Sequence, residues 1–496
     1  MRGIVPRREL VRRARRLVCT GILGATLISG VLVGIFPVGS TIASAASTAT
    51  SSIGWSPCPT ASGYLCGTLQ VPLNYAHPSQ GSVKLAVIEH PASQSKGVVI
   101  FNPGGPGESG VLILPILAAF VPTTVRSDFT LVSFDERGTG ASDQLLCGPT
   151  AAAAGSAIAG TEAANRTFAH TEQSCRSKYP ALFPTVTTTT SARDMDQLRK
   201  ALGVARINYY GVSYGTVLGS VYAQLFPSHV RSMVLDGAVD ANLSLATDAT
   251  EEAPAIGITL EHDLNTCTAT PGCPLGADPV AFYEHLQQQL TKSPLPAPGQ
   301  GDTIPVTEGD LTTATLLYLS VPSFGTGYFS ALAAAAAGNG TPLRNLALTL
   351  ENDLNGKSLV GALWSITCND AASHPTASAT AALARSLATR YPLGGAEAVA
   401  NILIGCSGWT GSPNSVAHLS PTQAPTPLVI GNVYDPNTPY VSAQQLTAAI
   451  DGRLVTYVGY GHSWILNGSS NPCMQNVVGN YLVNGVLPAV GTRCAA

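Results

Sequence analysis

Charge is scarce in this sequence. Lys, Arg, Asp and Glu make up 11% of its 496 residues, against roughly a quarter in ordinary soluble proteins. Beyond an arginine-rich start there is no basic stripe. That excludes a nucleic-acid partner, since a phosphate backbone calls for clustered cations. Metal-ligand spacing is missing as well: no Cys-x-x-Cys and no close His pair occurs. Neither a metal nor an organic cofactor is therefore expected. No internal repeat stands out either. What the chain does have is apolar residues, 45% of the total, enough for one large domain with an insertion or for two domains.

The start has the form of an export signal. Arg2, Arg7, Arg8, Arg12, Arg13, Arg15 and Arg16 precede an apolar run from Leu17 to Phe36, and Ala43-Ser44-Ala45 offers a small-x-small cleavage site. The run is long enough to span a membrane, so an uncut anchor is the alternative. Its Gly, Ser and Thr content favours cleavage. Arg7-Arg8 also reads as a weak twin-arginine signal, while Val18 before Cys19 argues against a lipoprotein. Without Cys19, ten cysteines remain, an even number that suits disulfides in an exported chain. The simplest pairing joins sequence neighbours: Cys58–Cys66, Cys147–Cys175, Cys267–Cys273, Cys368–Cys406 and Cys473–Cys494. Other connectivities remain open on sequence alone. The expected place is outside the cell or in its envelope.

Two early stretches, 69–73 and 83–88, read as antiparallel strands. Continuous apolar runs follow at 97–101, 129–134, 207–212 and 230–235, as expected for strands buried on both faces. A helix is expected from an N-cap at Ser191, with Asp194 at its third position and Gly203 at its end. Strand–helix alternation predicts an α/β fold with a mostly parallel sheet covered on both faces. From about residue 240 helical, Ala-rich stretches take over, with a Pro/Gly-rich break at 293–302. The sheet pattern returns at 427–431 and 453–458. The expected organisation is a signal segment at 1–45, a core from 46–239, a mainly helical cap at 240–395 and a returning core at 396–496.

The chemistry centres on Gly211-Val212-Ser213-Tyr214-Gly215, set between a strand and a helix. A serine on such a turn projects its hydroxyl from the sheet edge at a helix N-terminus. Serine is a poor nucleophile without a base, and the base needs a carboxylate to orient it. Both partners follow in the order acid then histidine, each just past a late strand: Asp435 after 427–431 and His462 after 453–458. Acyl transfer also needs N–H donors for the oxyanion. Tyr214 is one candidate, and Gly104 and Gly105 of the 104–107 loop supply the other. That loop lacks the Lys-Ser/Thr of a phosphate-binding loop.

Pro103-Gly104-Gly105-Pro106-Gly107, Asp135-Glu136-Arg137-Gly138, the serine motif, Asp435-Pro436-x-Thr438-Pro439 and Gly459-x-Gly461-His462 together resemble the α/β-hydrolase peptidases. Within them the likeness is to the proline iminopeptidases and, more closely, the exported bacterial tripeptidyl aminopeptidases with their carboxylesterase-like relatives. It spans nearly the whole chain after the leader, including Trp364 to Asp370 and the segment around Cys473. The resemblance implies a cap over the site and release of short peptides or single residues from free N-termini. Asn102-Pro103 stands where iminopeptidases carry His, which leans toward the tripeptidyl branch. A substrate ammonium would need a carboxylate; Glu251, Glu252, Asp370 and Glu108 are the candidates. Arg137 is expected to brace the loop near the serine. The expected partner is a peptide or ester substrate, with membrane contact only through an uncut leader. The rival readings are a carboxylesterase on the same triad and a non-catalytic binding protein on this scaffold.

Overall fold

The computed structural model describes residues 52–157, 161–269, 271–297, 304–323, 327–352, 357–410, 416, 418–468 and 470–496. The expected signal segment lies outside the described residues. So does part of the Pro/Gly-rich break.

Ten strands form one sheet: β1 (Ser56–Pro57), β2 (Leu65–Pro72), β3 (Ser82–His90), β4 (Val98–Asn102), β5 (Thr130–Phe134), β6 (Ile207–Val212), β7 (Val230–Asp236), β8 (Leu428–Tyr434), β9 (Arg453–Tyr460) and β10 (Arg493–Ala495). Their spatial order is β1-β2-β3-β5-β4-β6-β7-β8-β9-β10. The pairs β1·β2, β2·β3 and β3·β5 are antiparallel. From β5 through β10 every pairing is parallel.

The central strands are largely apolar because both faces are covered. Val98 and Ile100 pack with Val132 and Tyr209 on one side. Val99 and Phe101 pack with Leu131 and Tyr210 on the other. Alternation along a strand thus feeds two cores rather than one core and solvent.

The helices that shape the site are α1 (Gly110–Leu117), α2 (Thr188–Ala201), α3 (Tyr214–Leu225), α4 (Leu245–Thr268), α5 (Glu308–Ser320), α6 (Thr341–Glu351), α7 (Val360–Asp370), α8 (Gly395–Ile402) and α9 (Pro472–Asn484). Between β7 and β8 the described part of the chain is mainly helical and has an apolar core of its own, built on Ala253, Ile256, Leu260, Leu311 and Ala398. Its helices run on to Ile402, past the expected limit of 395. A second helical excursion, beginning with Ala151–Ala157 and Thr161–Phe168, packs against it. Ser156 Oγ donates to Asp310 Oδ2 at 2.9 Å, and the Phe168 and Trp364 rings meet edge-on at 5.8 Å.

One sequence expectation needs correcting. Helix α2 starts at Thr188 with Thr187 as its N-cap, so Ser191 lies inside the helix rather than at its start. Thr187 accepts from the Thr190 N–H, and both oxygens of Asp370 accept from the Thr188 N–H at 3.1 Å, satisfying further orphan donors of the first turn. Asp194 is drawn inward instead. It takes two hydrogen bonds from the buried Arg137, Nε at 2.7 Å and Nη2 at 2.6 Å. Arg137 also donates to the carbonyls of Pro72 and Leu73, so it braces β2 against α2.

All five neighbour pairs of cysteines are bonded: Cys58–Cys66, Cys147–Cys175, Cys267–Cys273, Cys368–Cys406 and Cys473–Cys494. Such a set fits an exported protein. Among the described residues no helix is long and apolar enough to cross a membrane.

Candidate active site

Ser213 closes β6 and opens α3 with φ 56° and ψ −126°, a left-handed conformation that a side chain rarely adopts. The turn is that sharp because its glycines let backbone approach backbone. A Cβ at Gly211 would lie 2.3 Å from the Gly215 carbonyl oxygen, and one at Gly215 would lie 2.7 Å from Asn102 Oδ1. The Ser213 N–H donates to the Asp236 carbonyl at 2.9 Å, and Thr216 caps the Ser213 carbonyl through both its N–H and its hydroxyl.

Asp435 and His462 stand past the ends of β8 and β9. The His462 Nδ1 lies 2.9 Å and 3.1 Å from the two Asp435 oxygens. That carboxylate is buried and also accepts from the N–H groups of Asn437, Thr438 and Ser463 and from the Thr438 hydroxyl. Burial disfavours the charged imidazole. The charge and hydrogen bond of Asp435, with the charge of Asp236, outweigh that, so the His462 pKa stands above the ordinary histidine value. Asp236 is itself pushed up to about 6 by burial, against the donors Trp464 N–H, Ile465 N–H and Tyr210 hydroxyl. Gly237 keeps the ring in place by leaving room for it: a Cβ there would come within 3.1 Å of His462 Cε1.

The glycine loop lies over the serine. A Cβ at Gly104 would be 2.7 Å from the Val212 carbonyl oxygen and 2.9 Å from Ser213 Cβ. The Gly104 N–H is turned to its own chain, donating to Asn102 Oδ1 at 3.1 Å. Of the two loop amides expected as donors, Gly104 is therefore already engaged, which leaves Gly105. The Tyr214 N–H is the first of α3 and has no intrahelical acceptor.

Two cavities meet at Ser213. One, of about 580 Å³, is lined by Tyr214, Asp240, Asp248, Thr367, Asp370 and Asn401 among others. The second, of about 320 Å³, includes His462, Ile113, Ile116, Leu117, Leu317 and Trp364. Gly105, Pro106, Ser213, Leu363, Asn401 and Asn437 belong to both. Among the described residues neither wall contains a Lys or Arg.

The four carboxylates proposed for a substrate amine fall in different places. Asp370 lines the larger cavity, although Thr188 holds it through N–H and hydroxyl, and burial pushes it to about 7. The Thr188 hydroxyl in turn accepts from the Tyr214 hydroxyl at 2.6 Å. Glu108 lines the other, apolar cavity. Glu251 and Glu252 line neither. Glu251 accepts from Gln445 Nε2 at 3.0 Å, and the buried Glu252 accepts from Asn401 Nδ2 at 2.7 Å. Sequence reading missed Asp240 and Asp248, which do line the larger cavity. Asp248 stands one helical turn before Glu251 and Glu252 on α4, a spacing that could have brought it to notice.

Fold and site together define a serine hydrolase. Residues 97–469 match the family described as the alpha/beta hydrolase fold, and the chain belongs to that family. It is 30% identical over 479 residues to Serine protease Hip1 of Mycobacterium tuberculosis, covering 89% of this chain and 90% of that protein. It is 31% identical over 459 residues to Carboxylesterase B of the same organism, covering 87% and 86%. A shorter match, 37% over 191 residues and 35% of either chain, is to Tripeptidyl aminopeptidase of Streptomyces coelicolor.

Proposed function

We propose that the protein is an exported serine aminopeptidase that releases short peptides, or single residues, from free N-termini through an acyl-enzyme on Ser213. One observation carries the peptide reading: a cavity at the serine is walled by Asp240, Asp248 and Asp370, with no Lys or Arg among its described lining residues. A carboxylate-lined chamber suits a substrate that enters as an ammonium, whose desolvation it offsets.

The chemistry follows from the geometry. With Nδ1 held by Asp435, His462 has Nε2 left to act as base, and it takes the proton of Ser213, which lines the same cavity, as the oxygen attacks the carbonyl. The oxyanion is met by the N–H groups of Tyr214 and Gly105. His462 then protonates the departing nitrogen, and water resolves the ester by the same route reversed. Export rests on the arginine-rich leader, residues 1–45, together with the disulfides.

The test is a library of free N-terminal peptides read by mass spectrometry, beside p-nitrophenyl esters and N-acetylated controls. Cleavage of peptides with a free amine, lost on acetylation and in Ser213→Ala, is expected. Ester hydrolysis without any peptide cleavage would leave the second reading, a carboxylesterase. The apolar cavity beside His462 favours that reading. Fluorophosphonate labelling that vanishes in Ser213→Ala is expected under both and excludes a non-catalytic binding protein.

A further inference from the structure

We propose that the apolar cavity is the leaving-group subsite and selects peptides with a large apolar residue immediately after the cleaved bond. The inference rests on Ser213 and His462 acting as nucleophile and base, and it names a substrate class for that site.

The walls decide the direction. Ser213 and Gly105 belong to both cavities, whereas His462 lines the apolar one and Tyr214 the acid-lined one. When Ser213 Oγ bonds to the carbonyl carbon, the proton passes to His462. The carbon–nitrogen bond then breaks as His462 returns that proton to the leaving nitrogen. The leaving half must therefore lie on the imidazole side. The acyl half, with its N-terminus, is left to the chamber of Asp240, Asp248 and Asp370.

The chemistry of the leaving side is apolar. Ile113, Ile116 and Leu117 come from α1, Leu317 from α5, Leu350 from α6 and Trp364 from α7. Filling such a wall with Leu or Phe in place of Gly is worth roughly tenfold to a hundredfold in affinity. An acidic residue would enter an apolar wall that offers no cation to pair with among its described residues. The cavity also reaches solvent: Phe120, Ser323 and Thr349 line it and are exposed. A chain continuing past the first leaving residue has a way out.

The experiment compares peptides with one fixed N-terminal sequence and Leu, Phe, Gly or Asp after the cleaved bond, scored as kcat/KM for that bond. A parallel set uses acetate esters of 1-hexanol, ethanol and glycolic acid. Leu and Phe are expected to exceed Gly and Asp by tenfold or more, and hexyl acetate to exceed the glycolate ester. Ile116→Lys should collapse or invert the Leu-to-Asp ratio. Phe120→Lys, at the exposed mouth, should move it the same way by less and serves if Ile116→Lys does not fold. A flat ratio in both sets, or a preference that tracks the residue before the bond, would overturn the assignment. If only esters are cleaved, the aminopeptidase reading fails, yet the alcohol series still decides the cavity.

Discussion

Asn102 Nδ2 stands 2.6 Å from Glu136 Oε1, and the same side chain receives the Gly104 N–H on its Oδ1. A buried carboxyl just past the end of β5 is thus joined through one amide to the loop over the serine. Asn102→Ala removes that brace while leaving the hydrophobic walls intact. Losing an oxyanion donor outright costs about 10²–10³ in kcat. A loosened loop should cost less, about tenfold to a hundredfold, with KM little changed. Steady-state kinetics on one peptide and one ester check this. Glu136→Gln keeps an acceptor for Asn102 and should stay within a few-fold of the parent.

Glu136 also predicts how stability varies with pH. Burial pushes its carboxyl up to about 8 from an ordinary 4.5, and Glu351 is raised to about 8 in the same way. Between those values the folded chain keeps protons that the unfolded chain has released, so stability falls as pH rises. His462, whose pKa is also raised, acts in the same direction: its contribution is present at low pH and lost as pH climbs. Tm should therefore be lower at pH 8 than at pH 5.5. Glu136→Gln should flatten that slope, as a scanning-calorimetry series would register.

Activity has the opposite dependence at its acidic limb. His462 must be neutral to accept the serine proton, and Asp435 and Asp236 favour its charged form. The acidic limb of kcat/KM should lie above the ordinary histidine value. Asp435→Asn removes the charge that raises it and permits the wrong tautomer. A loss of about 10⁴ in kcat is expected, with the residual activity showing an acidic limb shifted to lower pH.

Amine recognition gives a further pH signature. Burial first, then the charges of Glu251 and Asp240, push Asp248 to about 7. An incoming ammonium is held better by the ionised form. KM for free-amine peptides should therefore fall as pH rises through 7, while KM for acetylated analogues or esters stays level. Asp248→Asn should raise KM for the free-amine substrates about tenfold or more and leave ester hydrolysis nearly unchanged. A parallel rise for both substrate types would count against this role.

How much of this was legible beforehand depended on whether the signal was local. Ser213, Asp435 and His462 each sit at a strand end followed by a turn, and turn chemistry is written in adjacent residues. The sheet was legible for the same reason, since buried parallel strands are continuous apolar runs. The carboxylates were not. Glu251 and Glu252 looked like candidates, but neither lines either cavity: Gln445 and Asn401, both far along the chain, take up their carboxylates. Asp248, one turn earlier on the same helix, lines the larger cavity instead. Gly104 differs, because the side chain that takes up its N–H is only two residues earlier and an Asn at that spacing is itself a local signal. The start of α2 was missed because Thr187 to Thr190 precede Ser191 and each could cap; Thr187 does, and Asp370, nearly two hundred residues on, takes the Thr188 N–H.

The pairing of β10 along β9 has a consequence for solubility as well as for chemistry. Arg493, Cys494 and Ala495 run beside Thr456, Tyr457 and Val458, and Cys494 is tied to Cys473 on α9. Without these three residues, the strand that carries His462 would become the rim of the sheet, with unpaired N–H and C=O groups open to another chain. Trimming this short segment, or reducing its cysteine tie, should promote edge-to-edge self-association. The histidine turn a few residues further on would lose its lateral support in the same event.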